Sequence, residues 1–200
     1  MGTKAIDPQS IRNTTLIGEP AETTGVVDRV LRCYGSNRSG GQTTVHWPAD
    51  GTDHTIRLTE LSSRAPIATL ERCIRVADSV IAIVNAAATR TPRLETTLRV
   101  ADDHQVARLC LIIGLDQPGT DFERCVRTIA DTRGATPVVL HDPVDLPHQR
   151  IRSLTRIGDI VPVLCSPPPT SDDIAPLLDA IARYLPSPLD VCQPEHALDY

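Results

Sequence analysis

The sequence predicts an α/β protein with a doubly wound, mainly parallel sheet. Three observations carry this expectation. Apolar strand-like runs alternate with amphipathic helical stretches along the whole chain. Two of the runs, Ser79–Val84 (SVIAIV) and Val106–Ile113 (VARLCLII), are nearly unbroken aliphatic sequence, as a parallel strand covered on both faces requires. Thr14–Leu31 (TTLIGEPAETTGVVDRVL) reads as strand, small-residue turn and helix, the arrangement that sets unpaired helix N–H groups beside an anion.

The elements follow in order. Residues 1–10 read as a loose tail. The first strand centres on Leu16 and Ile17, and a tight turn holds Gly18 and Pro20. The helix after it, opened by the hydroxyls of Thr23 and Thr24, carries Val26, Val27, Val30 and Leu31 on one face and ends near Tyr34-Gly35. Ser36–Asp53 is polar and Gly-rich, with one short strand at Thr43–Trp47. His54–Thr59 alternates as a strand through Ile56 and Leu58. Pro66–Asp78 repeats apolar residues at Ile67, Leu70, Ile74 and Ala77, behind a proline suited to a first turn. Pro92–His104 predicts a helix with Leu94, Leu98 and Ala101 on one side, and Thr120–Arg133 another with Phe122, Val126 and Ile129 inward. Thr136–His141 and Ile160–Cys165 are strands. Asp172–Tyr184 closes the fold as a helix through Ile174, Leu177, Leu178 and Ile181. Asp142–Asp159, rich in Pro, Asp and Arg, shows no clear period. Ligands in such a fold sit at the carboxyl ends of the strands, so a site is expected in the loops after Ile17, Thr59, Val84, Ile113 and Cys165.

Composition narrows the function classes. Two hundred residues favour one domain with a sizeable core. Hydrophobic residues at 40% and charged residues at 22% exclude disorder throughout, while 2% aromatics leave the core to Ile, Val, Leu and Ala. Lys4 is the only lysine. A net charge of -5 supplies no field that would draw nucleic acid, so no DNA partner is expected. Six cysteines (Cys33, Cys73, Cys110, Cys125, Cys165, Cys192) lie far apart with no C-x-x-C pair. They read as buried free thiols of a reducing compartment, not as a metal site or a disulfide framework. No apolar run approaches membrane-spanning length, and the N-terminus lacks the apolar core of a signal peptide. A cytoplasmic chain with no membrane partner is the expectation.

Segments spread along residues 11–191 resemble the nucleotide-binding domain of translation elongation factor G. Ile11-Arg12-Asn13 and Asp28-Arg29-Val30-Leu31 are similar to its opening strand and first helix. Leu70–Val76 (LERCIRV) resembles its VERSLRV helix, and Glu95–Thr97 with Ala101–Asp103 falls where its SETVWRQAD helix lies. Cys110–Cys125 (CLIIGLDQPGTDFERC) tracks its C-F-V-N-K-M-D-R-T-G-A-D-F run. Leu177–Val191 (LLDAIARYLPSPLDV) resembles the segment that ends the domain, and Tyr-Leu-Pro-Ser-Pro after a helix is its most specific string. The resemblance implies a P-loop NTPase fold of the translational GTPase type, with a shortened switch region in Ser36–Asp53 and no insert subdomain. The organisation expected is a tail over 1–10, a G domain over 11–191 and a second tail over 192–200, without the family's ribosome-contacting domains.

The family's functional positions are mostly substituted. Its phosphate loop ends Gly-Lys-Thr-Thr; here stand Ala21-Glu22-Thr23-Thr24. Thr23 matches the hydroxyl that ligates Mg²⁺, whereas Glu22 replaces the lysine that neutralises phosphate. At an effective dielectric of about 20, one charge pair at contact is worth roughly 4 kcal/mol, so the exchange removes several kcal/mol of phosphate affinity before screening. The Asp-Thr-Pro-Gly-His element, which holds a water-bound Mg²⁺ and places a His near the attacking water, is matched by Thr59-Glu60-Leu61-Ser62-Ser63. Glu60 reads as a solvated loop carboxylate. No group replaces the His, so in-line hydrolysis loses its water-positioning residue. Asn-Lys-x-Asp, which reads guanine, becomes Ile113-Gly114-Leu115-Asp116, with Asp116 alone retained. Gly-Ser-Ala becomes Cys165-Ser166-Pro167, where proline removes a backbone N–H.

The resemblance therefore implies GTP or GDP with Mg²⁺ as the ligands of the inherited cleft, held by Thr23, Thr24, Asp116 and Ser166, and it implies the ribosome or a translation factor as partner. The substitutions argue against catalysis, and no catalytic residue is named. Two function classes follow: a pseudo-GTPase serving as a binding or regulatory module, and an active GTP-hydrolysing translation factor domain. A third reading, a decaying gene fragment, predicts random damage to the core as well. The well-patterned strands speak against it.

Overall fold

A computed structural model describes residues 7–34, 37–140, 146–166 and 173–191. The described residues open with one 3₁₀ turn, Pro8–Ser10, in the stretch expected as a loose tail; the Asp7 side chain accepts from the Gln9 N–H, and Ser10 is buried. β1 (Ile11–Gly18) and α1 (Pro20–Tyr34) follow, then β2 (Asn37–Ser39), β3 (Gln42–Ala49), β4 (Thr52–Ser62) and α2 (Ile67–Arg75). The second half is a regular alternation of β5 (Ser79–Asn85), α3 (Leu94–Asp103), β6 (Ala107–Ile113), α4 (Phe122–Ala130), β7 (Pro137–Val139), α5 (His148–Arg156), β8 (Val161–Cys165) and α6 (Ala175–Tyr184). The eight strands form one sheet in the order β2-β3-β4-β1-β5-β6-β8-β7. Every pairing from β4 to β7 across the sheet is parallel; β2/β3 and β3/β4 are antiparallel.

Alternation along the strands sorts the core into two layers. Leu16, Ile81, Ile83, Leu109 and Leu111 face one side with Val26, Val27 and Val30 of α1, Ile151 of α5 and Leu178 and Ile181 of α6. Ala82, Val84, Cys110 and Ile112 face the other, with Leu94 and Leu98 of α3 and Cys125 and Ile129 of α4. Leu70 and Ile74 of α2 extend that second layer over Ile17 and Val80. Helices on both faces of a mostly parallel sheet make the doubly wound architecture that the sequence predicts. The chain leaves β1 towards β4 and returns on the other side to β5, so the strand order reverses between β1 and β5. A crevice at the carboxyl ends of these two strands is where such folds bind ligands.

Several expectations are corrected in detail. Ser36–Asp53 holds not one strand but parts of two hairpins, turning at Gly40-Gly41 and Asp50-Gly51. Both turn residues have positive φ in each case, which right-twisted hairpins favour; Ser36 itself lies outside the described residues. The Asp142–Asp159 stretch contains α5; its apolar contacts (Ile151, with Leu154 beside it) are too few among Arg, His and Gln to show a period. Residues 142–145 of that stretch, and His141 of the strand expected at Thr136–His141, are outside the described residues, as is Asp172 of the closing helix. Ile67 is 52% exposed, although periodicity places it inward. It occupies the first position of α2, and the buried face begins one turn later at Leu70. Cys33, Cys73 and Cys165 are half-buried free thiols; Cys110 and Cys125 are buried, and burial pushes the Cys110 thiol up to about 12. Lys4 and Cys192 lie outside the described residues.

Charges hold the edge of the sheet away from the crevice. Arg12, 1% exposed at the start of β1, donates to the carbonyls of Ala182 in the last turn of α6 (3.0 and 3.2 Å), Gln9 and Ile11. A helix C-terminus carries partial negative charge, which suits a cation. Burial, then Arg152, push the Arg12 guanidinium down to about 10, and it stays charged at neutral pH. Asp190, after α6, accepts from Arg152 at 3.0 Å and from the Ser187 N–H at 3.0 Å, with Arg156 3.4 Å away. Tyr184 Oη meets His148 Nδ1 at 2.7 Å. Thus the Tyr-Leu-Pro-Ser-Pro-Leu-Asp string clamps α6 onto α5.

Two outcomes follow from this packing. Burial alone raises the Asp190 carboxyl, but its bonds from Ser187 and Arg152 outweigh that and hold it below the usual range. Its contribution is therefore present above the unfolded value of about 3.9 and is lost as pH falls through the lower folded value. Asp190→Asn should lower stability by about 1–2 kcal/mol at pH 7 and flatten the loss of stability below about pH 4, read by urea unfolding. At the end of β1, a Cβ built on Gly18 would stand 3.0 Å from the Ile83 Cβ on β5. Gly18→Ala should destabilise by about 1–3 kcal/mol in the same assay, whereas Gly25→Ala, which meets nothing within 4 Å, should not.

Candidate functional site

The crevice between β1 and β5 is shaped by an unusually short connection. β1 runs to Gly18 and α1 begins at Pro20, leaving Glu19 as the single residue between them. The helix therefore starts three residues ahead of Thr23 and not at the threonine hydroxyls, with proline in its first turn. The Glu19 carbonyl accepts from the N–H of Glu22 (2.9 Å), a donor that a helix N-terminus otherwise offers to an anion, and from the N–H of Thr23 (3.1 Å), the first i→i−4 bond of the helix.

Glu22 turns back over this junction. Its Oε2 accepts from the Glu19 N–H at 3.1 Å, and its Oε1 accepts from Asn85 Nδ2 at 2.9 Å, at the end of β5. Asn85 is fixed in turn, since its Oδ1 accepts from the Ala87 N–H at 3.0 Å. The carboxylate so joins the ends of β1 and β5 across the strand-order reversal. β4 closes the other flank: it pairs with β1 in register through Gly18 opposite Ser62, and the Ser63 N–H continues the ladder to the Gly18 carbonyl at 2.8 Å. The Ser63 hydroxyl donates to Glu19 Oε1 at 2.9 Å, and Arg64 Nε to Glu19 Oε2 at 2.6 Å. Those two bonds, the Arg64 one larger, hold the Glu19 carboxyl below the usual range.

The residues that the sequence singles out lie at the carboxyl edge of the sheet, Thr23 and Thr24 together on α1 and the others on separate segments, each with its own partner. Thr23 is 2% exposed and its hydroxyl donates to the Pro20 carbonyl at 3.1 Å, within the helix. Thr24 donates to Glu60 Oε2 at 3.0 Å. Glu60, expected in a loop, lies within β4 and also pairs with Arg38 of β2 at 2.8 Å. Asp116 stands exposed after β6, with the Gln117 side-chain amide donating to it at 3.2 Å. Ser166, after β8, is buried and accepts from Arg29 of α1 at 3.0 Å. Pro167 is outside the described residues. Sequence reasoning did not single out Asn85 or Arg64; the polar residue that ends the unbroken run SVIAIV was the available signal for Asn85. Among the described residues no group of three or more His, Cys, Asp and Glu side chains is placed to hold a metal ion, and no helix is long and apolar enough to cross a membrane.

A cavity of about 240 Å³ opens on this crevice, floored by Ile17, Gly18, Ala82, Ile83 and Leu94, with Glu22 and Asn85 on its wall. It is the place where the fold, the short turn and the carboxylate meet.

Comparison with known proteins agrees with the fold. The elongation factor Tu GTP binding domain model matches residues 67–187. Elongation factor G of Neorickettsia sennetsu is 24% identical over an alignment that covers 95% of this chain and 41% of the relative, so the chain spans about two-fifths of that protein's length. A crystal structure of a Thermus thermophilus protein superposes with a TM-score of 0.65 at 14% identity, over 90% of this chain and 41% of that one. The mostly parallel sheet with helices on both faces is thus the P-loop NTPase fold of the G-domain type. By sequence and by architecture the chain belongs to the elongation factor Tu GTP-binding domain family and is similar to elongation factor G.

Proposed function

We propose that the chain is a pseudo-GTPase: an elongation factor G-like domain, related to translation, with weak or no GTP hydrolysis and a role as a cytoplasmic binding or regulatory module. The observation that supports this most is the Glu22 carboxylate, which accepts from the Glu19 N–H and from Asn85 where a phosphate-binding turn would keep its donors for the ligand. Glu22 spends its own N–H on the Glu19 carbonyl, and Thr23 spends its hydroxyl on Pro20. A triphosphate with Mg²⁺ does not fit these residues as they stand, and no step of hydrolysis is derived through it. Ser63, at the position matched to the family's His, is engaged through both its N–H and its hydroxyl. By resemblance alone, the partner is the ribosome or a translation factor; neither DNA nor a membrane is a proposed partner. The runner-up, an active GTP-binding domain that hydrolyses GTP, is favoured by Asp116, the retained residue of the guanine-reading element, which stands accessible after β6.

Titration with fluorescent GDP and GTP analogues, with and without Mg²⁺, separates these readings. No saturable binding at millimolar nucleotide is expected; micromolar binding restores the nucleotide half of the runner-up, and steady GTP turnover overturns the proposal. Glu22→Lys should free the turn and restore the favourable charge, raising affinity for the analogues by about tenfold or more. An unchanged titration of that variant places the defect in the one-residue turn itself.

A further inference from the structure

The cavity at the β1/β5 crevice has a volume of about 240 Å³ and is open to solvent. Its floor of Ile17, Ala82, Ile83 and Leu94 is apolar. Two polar groups face that floor with bonding capacity to spare. Thr97 of α3 lines the cavity, is 2% exposed, and its hydroxyl has no hydrogen-bond partner among the described residues. That hydroxyl opens on the cavity, where it can donate to a ligand or accept from one. Glu22 is the second. Each of its oxygens accepts one bond, Oε2 from the Glu19 N–H and Oε1 from Asn85. An ionised carboxylate accepts about four, so an acceptor site remains on each oxygen of one planar group. Two parallel N–H donors from an amidinium or guanidinium match that pair in the bidentate geometry that carboxylates favour.

The other charges at the mouth leave this preference standing. Glu19 is already paired with Arg64 and Ser63. Arg64 and Arg90 lie exposed at the rim, where solvent and salt screen them more than they screen the half-buried Glu22.

We propose that this cavity is a binding site for a small amphipathic cation, its planar N–H fork on Glu22, its apolar body on the Ile17, Ile83 and Leu94 floor, and the Thr97 hydroxyl as its second polar contact. The proposal rests on the pseudo-GTPase reading, because Glu22 must stay where no triphosphate displaces it.

The test is an NMR titration of the intact chain with benzamidine, benzoate and benzyl alcohol, three probes of similar shape and different charge. Benzamidine should give saturable shifts at the methyl groups of Ile17, Ile83, Leu94 and Thr97, with benzoate binding at least about tenfold more weakly. Thr97→Val, which keeps the shape and removes the hydroxyl, should weaken benzamidine about threefold, and Glu22→Gln should abolish the preference for the cation. Because Glu22→Gln also alters the turn, the benzamidine and benzoate comparison on the unaltered chain decides by itself. Benzoate binding as well as benzamidine, shifts confined to another surface, or no saturation would each overturn the proposal. If the chain turns over GTP, the pseudo-GTPase reading fails; if it neither turns over GTP nor binds benzamidine, only the cation site falls.

Discussion

A single carboxylate, held between a backbone N–H and a side-chain amide, governs the geometry of the crevice. Glu22 can reach both Glu19 and Asn85 only because one residue separates β1 from α1, which brings the first turn of the helix against the end of the strand. Hydrogen bonds to an ionised group contribute about 1.5–3 kcal/mol each, more than an ordinary neutral bond. Two such bonds, shared between neighbouring strands, fix the turn without any ligand. The in-register ladder of β1 with β4, prolonged by the Ser63 N–H, ties the opposite flank of the same turn.

Stability of the fold is anchored elsewhere. At the far edge of the sheet Arg12 holds the start of β1 to the last turn of α6, and Asp190 draws in Arg152 and Arg156 of α5. On β6, the fully buried Arg108 reaches Asp102 at the end of α3 (2.8 Å) and the Gly158 carbonyl (2.7 Å). Between these clamps both layers of the core are buried, from Leu16 to Leu111 on one face and from Val84 to Ile129 on the other. Residues at the carboxyl edge can change while these contacts persist. A G-domain scaffold with an altered turn is therefore physically coherent, and decay of the whole chain would not leave Arg12 and Arg108 with their partners.

How far the sequence discloses this depends on the kind of signal. SVIAIV and VARLCLII were legible because a strand buried on both faces is mostly aliphatic, with Arg108 on β6 the buried exception, and β5 and β6 fall on those runs. Leu94, Leu98 and Ala101 were legible because a helix on one face must repeat its apolar contacts, and all three are buried. α5 was hidden because its inward face is chiefly Ile151 with Thr155, among arginines that point outward or pair with Asp190. In the crevice, the lysine-to-glutamate exchange at position 22 was visible as a change of sign. Its bonds were not, because Asn85 is distant in sequence and the length of the turn depends on where β1 stops. The opening of the helix at Pro20 was likewise masked by Thr23 and Thr24, whose hydroxyls suggest a cap yet bond within the helix and to Glu60.

That difference alters the physical account of the anion site. Read from the sequence, Glu22 opposes a phosphate by repulsion, roughly 4 kcal/mol for a contact pair at an effective dielectric of about 20 and less where solvent enters. In the structure it also competes, because a phosphate must first break two charge-assisted bonds of about 1.5–3 kcal/mol each to reach the same donors. The two effects add, and salt reduces only the first. Removing the negative charge alone would therefore leave part of the barrier in place, since any residue at position 22 that accepts from Glu19 and Asn85 still occupies the turn. A cation bears the opposite relation to this group: it uses the acceptor sites that remain and requires none of the existing bonds to break.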